Sequence, residues 1–247
     1  MAGNPIAVIV AVGPGTGASI ARRFASAYPV VLLARSPENY EAVAADINKK
    51  GGKAIGISTD VSNESSVNAA FEKINQEFNG APIAAAIFNA STRPKRKSVL
   101  ELSVEEYQNG FDVSGKGALI FSKAVLPGLL EHGEDNPTQS PPTLIFTGAT
   151  ASVKSNALMA GFATHKFALR ALSFSIAREF APKGVHVAHA VVDGAIDTPF
   201  TQGFIADWAS EASISSDDIA ETYWNLHQQS RRCFTNEIDI RPMMEKW

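Results

Sequence analysis

An apolar run, Ile6–Val12, passes straight into Gly13-Pro14-Gly15-Thr16-Gly17-Ala18-Ser19 and from there into a segment of helical spacing, Ala18–Ala27. A buried strand that meets a helix through so glycine-rich a turn restricts the chain to folds that open on a strand–turn–helix unit. Glycine lets the backbone turn tightly and approach a bound group, while the helix N-terminus offers free N–H groups and the positive end of its dipole. The turn is therefore an anion site suited to a pyrophosphate, with Gly13, Gly15 and Gly17 as its candidate residues.

The same alternation continues. Short runs rich in Val, Ile and Ala recur at Val30–Ala34, Ala54–Ser58, Ile83–Phe88, Leu144–Thr147 and Val185–Val192, as expected of strands buried on both faces. Between them, Asn39–Lys50, Glu64–Phe78, Val104–Leu130 and Gly161–Phe180 have helical spacing. The order predicts an α/β fold, a doubly wound parallel sheet flanked by helices, in one domain over residues 1–247. His132–Pro142 reads as an exposed loop, Glu237–Pro242 as a short last strand and Trp247 as a tail anchor.

Charge and cysteine content narrow the function. With 22 basic against 25 acidic residues, the chain has no electrostatic footprint for nucleic acid or an anionic membrane surface. No uninterrupted apolar stretch approaches the roughly 20 residues that cross a bilayer. The lone Cys233 excludes an internal disulfide and leaves no cysteine cluster for zinc. The expectation is a cytoplasmic protein that acts on a small molecule, with no nucleic-acid or membrane partner and no metal.

Several strand ends carry further candidates. The second strand ends Leu33-Ala34-Arg35-Ser36, with no acid to bind ribose hydroxyls but with a guanidinium fork that suits a 2′-phosphate. Asp60-Val61 follows the third strand and Asn89-Ala90-Ser91 the fourth; alone, each also reads as a helix cap or turn residue. These features, in this order, resemble the short-chain dehydrogenase/reductase family. Its first turn is Thr-Gly-x-x-x-Gly-x-Gly, matched here at Gly13 and Gly17 with Val12 and Ser19 as departures. The resemblance implies a Rossmann-type fold and, with Arg35 in place, an NADP(H) cofactor. It further implies that Asp60 contacts adenine, that Asn89 forms the fourth strand-end turn, and that Ile196 and Thr198 hold the nicotinamide carboxamide, with Asp193 replacing a proline.

The family's catalytic group is Asn-Ser-Tyr-Lys, and the resemblance maps it onto a depleted set. Phe162-Ala-Thr-His-Lys166 stands for Tyr-x-x-x-Lys, Ala149 for the serine, and Asp112 for the asparagine on the fourth helix. Phenylalanine cannot transfer a proton. Thr147 or Thr150 is available to replace the serine hydroxyl, and Lys166 is retained to bind ribose. Three readings stay open: a reductase with another proton donor (His165, Asp112, Lys166 or water); an oxidoreductase acting on an activated electrophile such as an iminium carbon, with Asp112 stabilising the positive charge; or a non-catalytic nucleotide-binding or interaction protein with a repurposed pocket.

The remaining features read more plainly. His165 precedes Lys166 and is expected to point off the lysine's face, as a structural or exposed residue. His186 and His189 fall on opposite faces of a strand, which argues against a shared metal. Arg93–Lys97 reads as a solvated basic loop; Pro199–Ser213, with Phe200, Phe204, Ile205 and Trp208, resembles the family's substrate-covering segment and reads equally as an apolar lid or as ordinary packing. Family members usually pair through their fourth and fifth helices, so the resemblance implies a homodimer or homotetramer.

Overall fold

The computed structural model describes residues 4–135 and 140–246. Seven parallel strands form one sheet: β1 (Ile6–Val10), β2 (Val30–Ala34), β3 (Ala54–Ser58), β4 (Ile83–Phe88), β5 (Thr143–Thr147), β6 (His186–Val192) and β9 (Glu237–Ile240), in the order β3-β2-β1-β4-β5-β6-β9. The chain winds outward from β1 in one direction and from β4 in the other. Between these two strands lies the point where connections diverge and a crevice opens beyond the strand ends. The doubly wound Rossmann-type sheet expected from the sequence is the observed fold.

Helices cover both faces. On one, Val8, Val10, Phe88 and Phe146 pack against α3 (Glu64–Glu77), α5 (Gly117–Asp135) and α6 (Ala160–Phe180). On the other, Ile9, Leu32, Ile87 and Ile145 pack against α1 (Thr16–Phe24), α2 (Glu41–Lys49) and α8 (Ser216–His227). Burial on both faces explains why the strands read as unbroken apolar runs.

Three features differ from expectation. The single helix expected over Val104–Leu130 is α4 (Val104–Phe111), a π-helical turn over Asp112–Lys116, and α5. Gly117 lets the backbone lie close at this turn: a Cβ there would fall 3.1 Å from the Val61 carbonyl and 3.2 Å from that of Asp112. Because α5 runs to Asp135, the first part of the loop expected over His132–Pro142 is helical; residues 136–139 and Trp247 lie outside the described residues. The α4–α5 stretch Val104–Gly133 also contains an 18-residue window with the mean hydropathy, 1.2, of a membrane span, and 50% of that window is buried inside the protein, as in the core helix of a folded domain.

The third is α8, which the sequence reading missed. It buries Ile219, Ala220, Tyr223 and Leu226 and is pinned to α1 by Trp224, whose ring meets Phe24 edge-on at 5.3 Å and carries Arg23 at 4.3 Å. Just before α8, β8 (Ile214–Ser215) pairs in parallel with β7 (Ile196–Asp197). This two-stranded clasp ties together the two ends of Pro199–Ser213, a segment that holds the short helix α7 (Gln202–Ile205).

Candidate active site

The glycine turn is tightest where α1 begins. Gly15 caps the helix, and no acid in the first turn opposes its positive end. A Cβ on Gly17 would lie 2.7 Å from the Ala11 carbonyl and 2.8 Å from Val12 Cα, so only glycine fits there. One on Gly15 would lie 2.7 Å from Thr198 Cγ2, whereas one on Gly13 would meet nothing within 4 Å. Ala11, meanwhile, holds φ at 60°, a left-handed conformation that favours glycine. The Gly13–Gly17 register expected from the sequence is thereby corrected. The closely packed Gly-x-Gly pair is Gly15 and Gly17, and the departures fall at Val10 and Ala11 rather than at Val12 and Ser19.

The neighbouring strand ends line up along the same crevice. Arg35 follows β2, is exposed, and has no side-chain hydrogen bond or ion pair among the described residues. Asp60 accepts Ser62 N–H at 3.0 Å and Ser62 Oγ–H at 2.7 Å, both through Oδ1, so it braces its own turn and leaves Oδ2 unengaged. Asn89 is half-buried beyond β4.

Lys166, on α6, is buried, and its Nζ donates to the Thr147 carbonyl at 3.0 Å. Burial pulls its ammonium from the ordinary 10.5 down to about 8. One turn earlier, Phe162 is half-buried, with its ring centroid 5.8 Å from Lys166 Nζ. Ala149 follows β5, and its N–H donates to Ser152 Oγ at 3.0 Å. The two candidate replacement hydroxyls are engaged differently: Thr147 Oγ1 is an acceptor turned towards α8, and Thr150 Oγ1 has spent its proton. Tyr223 O–H donates to Thr147 Oγ1 at 2.9 Å beside α8, while Thr150 Oγ1 donates its proton to the Asp193 carboxylate.

Asp112, on the fourth helix, has partners of its own. Its carboxylate pairs with Lys116 at 3.0 Å and accepts from Gln108 at 2.9 Å along its own helix, and these partners hold its pKa below the ordinary carboxylate value. Asp193 was read only as a departure from proline; it is the carboxylate joined to Thr150 beside Ala149, with Arg241 3.5 Å away.

His165 is buried rather than exposed. It meets Phe162 edge-on at 5.2 Å and lies so close to Gly110 that a Cβ there would fall 2.8 Å from the ring. Burial, reinforced by Lys166, lowers its pKa to about 4, so it is a poor proton donor near neutrality. His186 and His189 have separate partners, and among the described residues no group of three or more His, Cys, Asp or Glu could hold a metal ion.

Thr198, just ahead of Pro199–Ser213, meets the glycine turn. Its Oγ1 hydrogen-bonds Thr201 Oγ1 at 3.0 Å, while its methyl covers Gly15. A cleft of about 370 Å³ runs beside this contact, lined by Pro14, Gly15, Ser19, Pro199 and Gln202 among others. Phe200, Phe204 and Trp208 are exposed, and Ile205 is buried. Arg93 is not simply solvated: its guanidinium stacks 3.8 Å over Phe200, and Lys97 pairs with Glu106 at 2.7 Å. The loop after β4 thus touches the segment Pro199–Ser213.

Comparison with known proteins agrees with this architecture. The short chain dehydrogenase family pattern matches residues 5–209. An uncharacterized oxidoreductase of Staphylococcus epidermidis is 25% identical over 96% of this chain and 97% of its own length. A short-chain dehydrogenase structure from Rhodopseudomonas palustris is 30% identical, covering 96% of this chain and 98% of that one, with a TM-score of 0.77. An alcohol dehydrogenase from the archaeon Thermococcus sibiricus, solved with 5-hydroxy-NADP, is 26% identical over 98% of each chain, with a TM-score of 0.84. The protein belongs to the short-chain dehydrogenase family of oxidoreductases.

Proposed function

We propose that this oxidoreductase uses NADP(H) and delivers hydride to an electrophile that is already activated, such as an iminium carbon, rather than to a ketone that needs a hydroxyl proton from the protein. One observation carries the reading. Around Lys166 the side chains at the expected hydroxyl positions are Phe162 and Ala149, and the nearest alternative, Thr150, has committed its proton to Asp193. A carbonyl oxygen becoming an alkoxide would find no hydroxyl on residue 162 or residue 149, whereas an iminium nitrogen gaining an electron pair needs none.

The residues fit the cofactor. The cradle formed by Gly15, Gly17 and the start of α1 suits a pyrophosphate, Asp60 has a carboxylate oxygen to spare for adenine, and Ile196 and Thr198 lie beside the cradle, where Thr198 covers Gly15. Bound NADPH would supply the hydride. Lys166, largely protonated at neutral pH, would hold ribose hydroxyls, and the apolar lid would exclude water.

The NADP preference rests on Arg35, an unpaired guanidinium at the end of a strand that offers no ribose-binding acid. Arg35→Ala is expected to weaken NADPH binding by about 10- to 100-fold and to change NADH binding by less than about twofold, measured by fluorescence titration. Equal affinity for both cofactors in the unaltered protein would remove the assignment. NADPH oxidation across a panel of imines, enones and ketones tests the chemistry. Turnover of iminium substrates supports it; tight binding with no turnover of any class would favour a nucleotide-binding module.

A further inference from the structure

One buried titratable group has no part in the chemistry above. His189 lies in β6, fully buried, and its Nδ1–H donates to Glu237 Oε2 at 3.0 Å. Glu237, on the edge strand β9, also accepts from Arg170 Nε at 2.6 Å and Nη2 at 2.8 Å. Because a carboxylate only accepts, this pairing fixes the tautomer and leaves the lone pair on Nε2. Nε2 has no hydrogen-bond partner among the described residues.

The lone pair abuts the peptide that anchors Lys166. A Cβ on Gly148 would fall 2.4 Å from His189 Nε2 and 2.8 Å from the Ala190 carbonyl, so glycine makes room for the ring. Gly148 follows Thr147, whose carbonyl accepts from Lys166 Nζ at 3.0 Å. Arg170 stands one turn beyond Lys166 on α6, which places Lys166 and the Glu237 clamp on one face of that helix. A buried ammonium with N–H groups to spare and a buried imidazole lone pair without a donor therefore flank the same residue pair. Unmatched buried polar atoms are uncommon in folded proteins.

We propose that His189 is a positioning residue for Lys166: Glu237 and Arg170 lock its ring so that Nε2 offers the Lys166 ammonium a second buried acceptor, reached through one bridging water. The idea rests on the reading of Lys166 as the cationic centre of the site, not on the identity of the cofactor. At neutral pH His189 is uncharged, since burial lowers its pKa to about 4 against the opposing pull of Glu237, so it can accept. The charged or titratable groups near the pair are His165, Arg170, Glu237 and, from α8, Tyr223, whose hydroxyl bonds Thr147 and is kept neutral by burial. Asp112 is engaged by Lys116 and Gln108.

The test reads Lys166 itself. In protein labelled with carbon-13 lysine, the Lys166 side-chain signal, assigned with Lys166→Arg, is followed through a pH titration without cofactor. His189→Phe removes the acceptor and is expected to lower the Lys166 midpoint by roughly one pH unit. His189→Gln keeps an acceptor and is expected to restore at least half of that shift. His189→Leu removes the acceptor with a smaller side chain and is expected to lower the midpoint as well, which keeps the test available should His189→Phe fail to fold. An unchanged midpoint in folded His189→Phe or His189→Leu protein would overturn the proposal, as would an equal fall in His189→Phe and His189→Gln. Because cofactor is absent, failure to bind NADPH leaves this outcome intact, and a flat titration leaves the NADPH assignment standing.

Discussion

Phe162→Tyr combined with Ala149→Ser is expected to raise NADPH-dependent ketone reduction by about 10² to 10⁴-fold, the usual worth of a positioned general acid. The remaining parts are in place. Residue 162 lies one helical turn before Lys166, whose Nζ is 5.8 Å from the existing ring, and residue 149 follows the strand whose end anchors that amine. A tyrosine so placed would meet a cation that lowers its pKa, and a serine at 149 would add the donor that Thr150 cannot offer while it is bonded to Asp193. Initial rates of NADPH oxidation with simple ketones give the readout. Adding Lys166→Ala should remove most of the gain. A folded, NADPH-binding double variant with no increase would contradict the depleted-site reading.

Acid should destabilise the protein sharply, through histidines buried in neutral form. Burial lowers His165 and His189 to about 4 and His227 to about 3, each from the ordinary 6.5. His227 shows why. Thr143 Oγ1 spends its proton on the Pro141 carbonyl, so His227 Nδ1–H donates to that oxygen at 2.9 Å, and Nε2 accepts from Tyr28 O–H at 2.8 Å. Every site on the neutral ring is used, and a second ring proton would displace Tyr28.

The sign follows from linkage. Below pH 6.5 the unfolded chain takes up protons that the folded chain refuses, so these groups' stabilisation is complete above that pH and is lost as pH falls towards the folded values. Three such groups give a slope of up to about 4 kcal/mol per pH unit between pH 6 and 4, against a typical total stability of about 5–15 kcal/mol. Urea midpoints measured from pH 7.5 down to 4.5 should fall steeply. His227→Gln should reduce the slope by about 1.4 kcal/mol per pH unit. A midpoint constant down to pH 4 would contradict the burial of these rings in neutral form.

How much the sequence disclosed depended on whether the signal was local. Val30–Ala34, Ala54–Ser58 and Ile83–Phe88 appear as strands at the expected residues, because burial on both faces writes itself as consecutive apolar side chains. The clasp of β7 and β8 has only two residues per strand, too short for any periodicity to show. In α8, the spacing of Ile219, Ala220, Tyr223 and Leu226 was present but diluted by Asp217, Asp218 and Glu221, which face outward.

The glycine register was misjudged because counting glycines does not reveal which one lacks room for a Cβ. That information lies in the Gly17–Ala11 contact and in the φ of Ala11. Phe162, Ala149 and Lys166 were readable from the family spacing alone. The partners that decide what Thr150, Asp112 and His189 can do come from residues up to 48 positions away, as Glu237 is from His189, and no motif records them.

The central claim is that a 2′-phosphorylated dinucleotide lies across the switch point, from Arg35 over the Gly15–Gly17 turn to Lys166. A crystal structure of the protein with NADPH tests it most directly. The expected result has the pyrophosphate on the first N–H groups of α1, the 2′-phosphate on Arg35, ribose hydroxyls on Lys166 Nζ, and Thr198 moved from Gly15 to the carboxamide. A crevice still closed by Thr198 at saturating NADPH, or a dinucleotide bound elsewhere on the molecule, would contradict it.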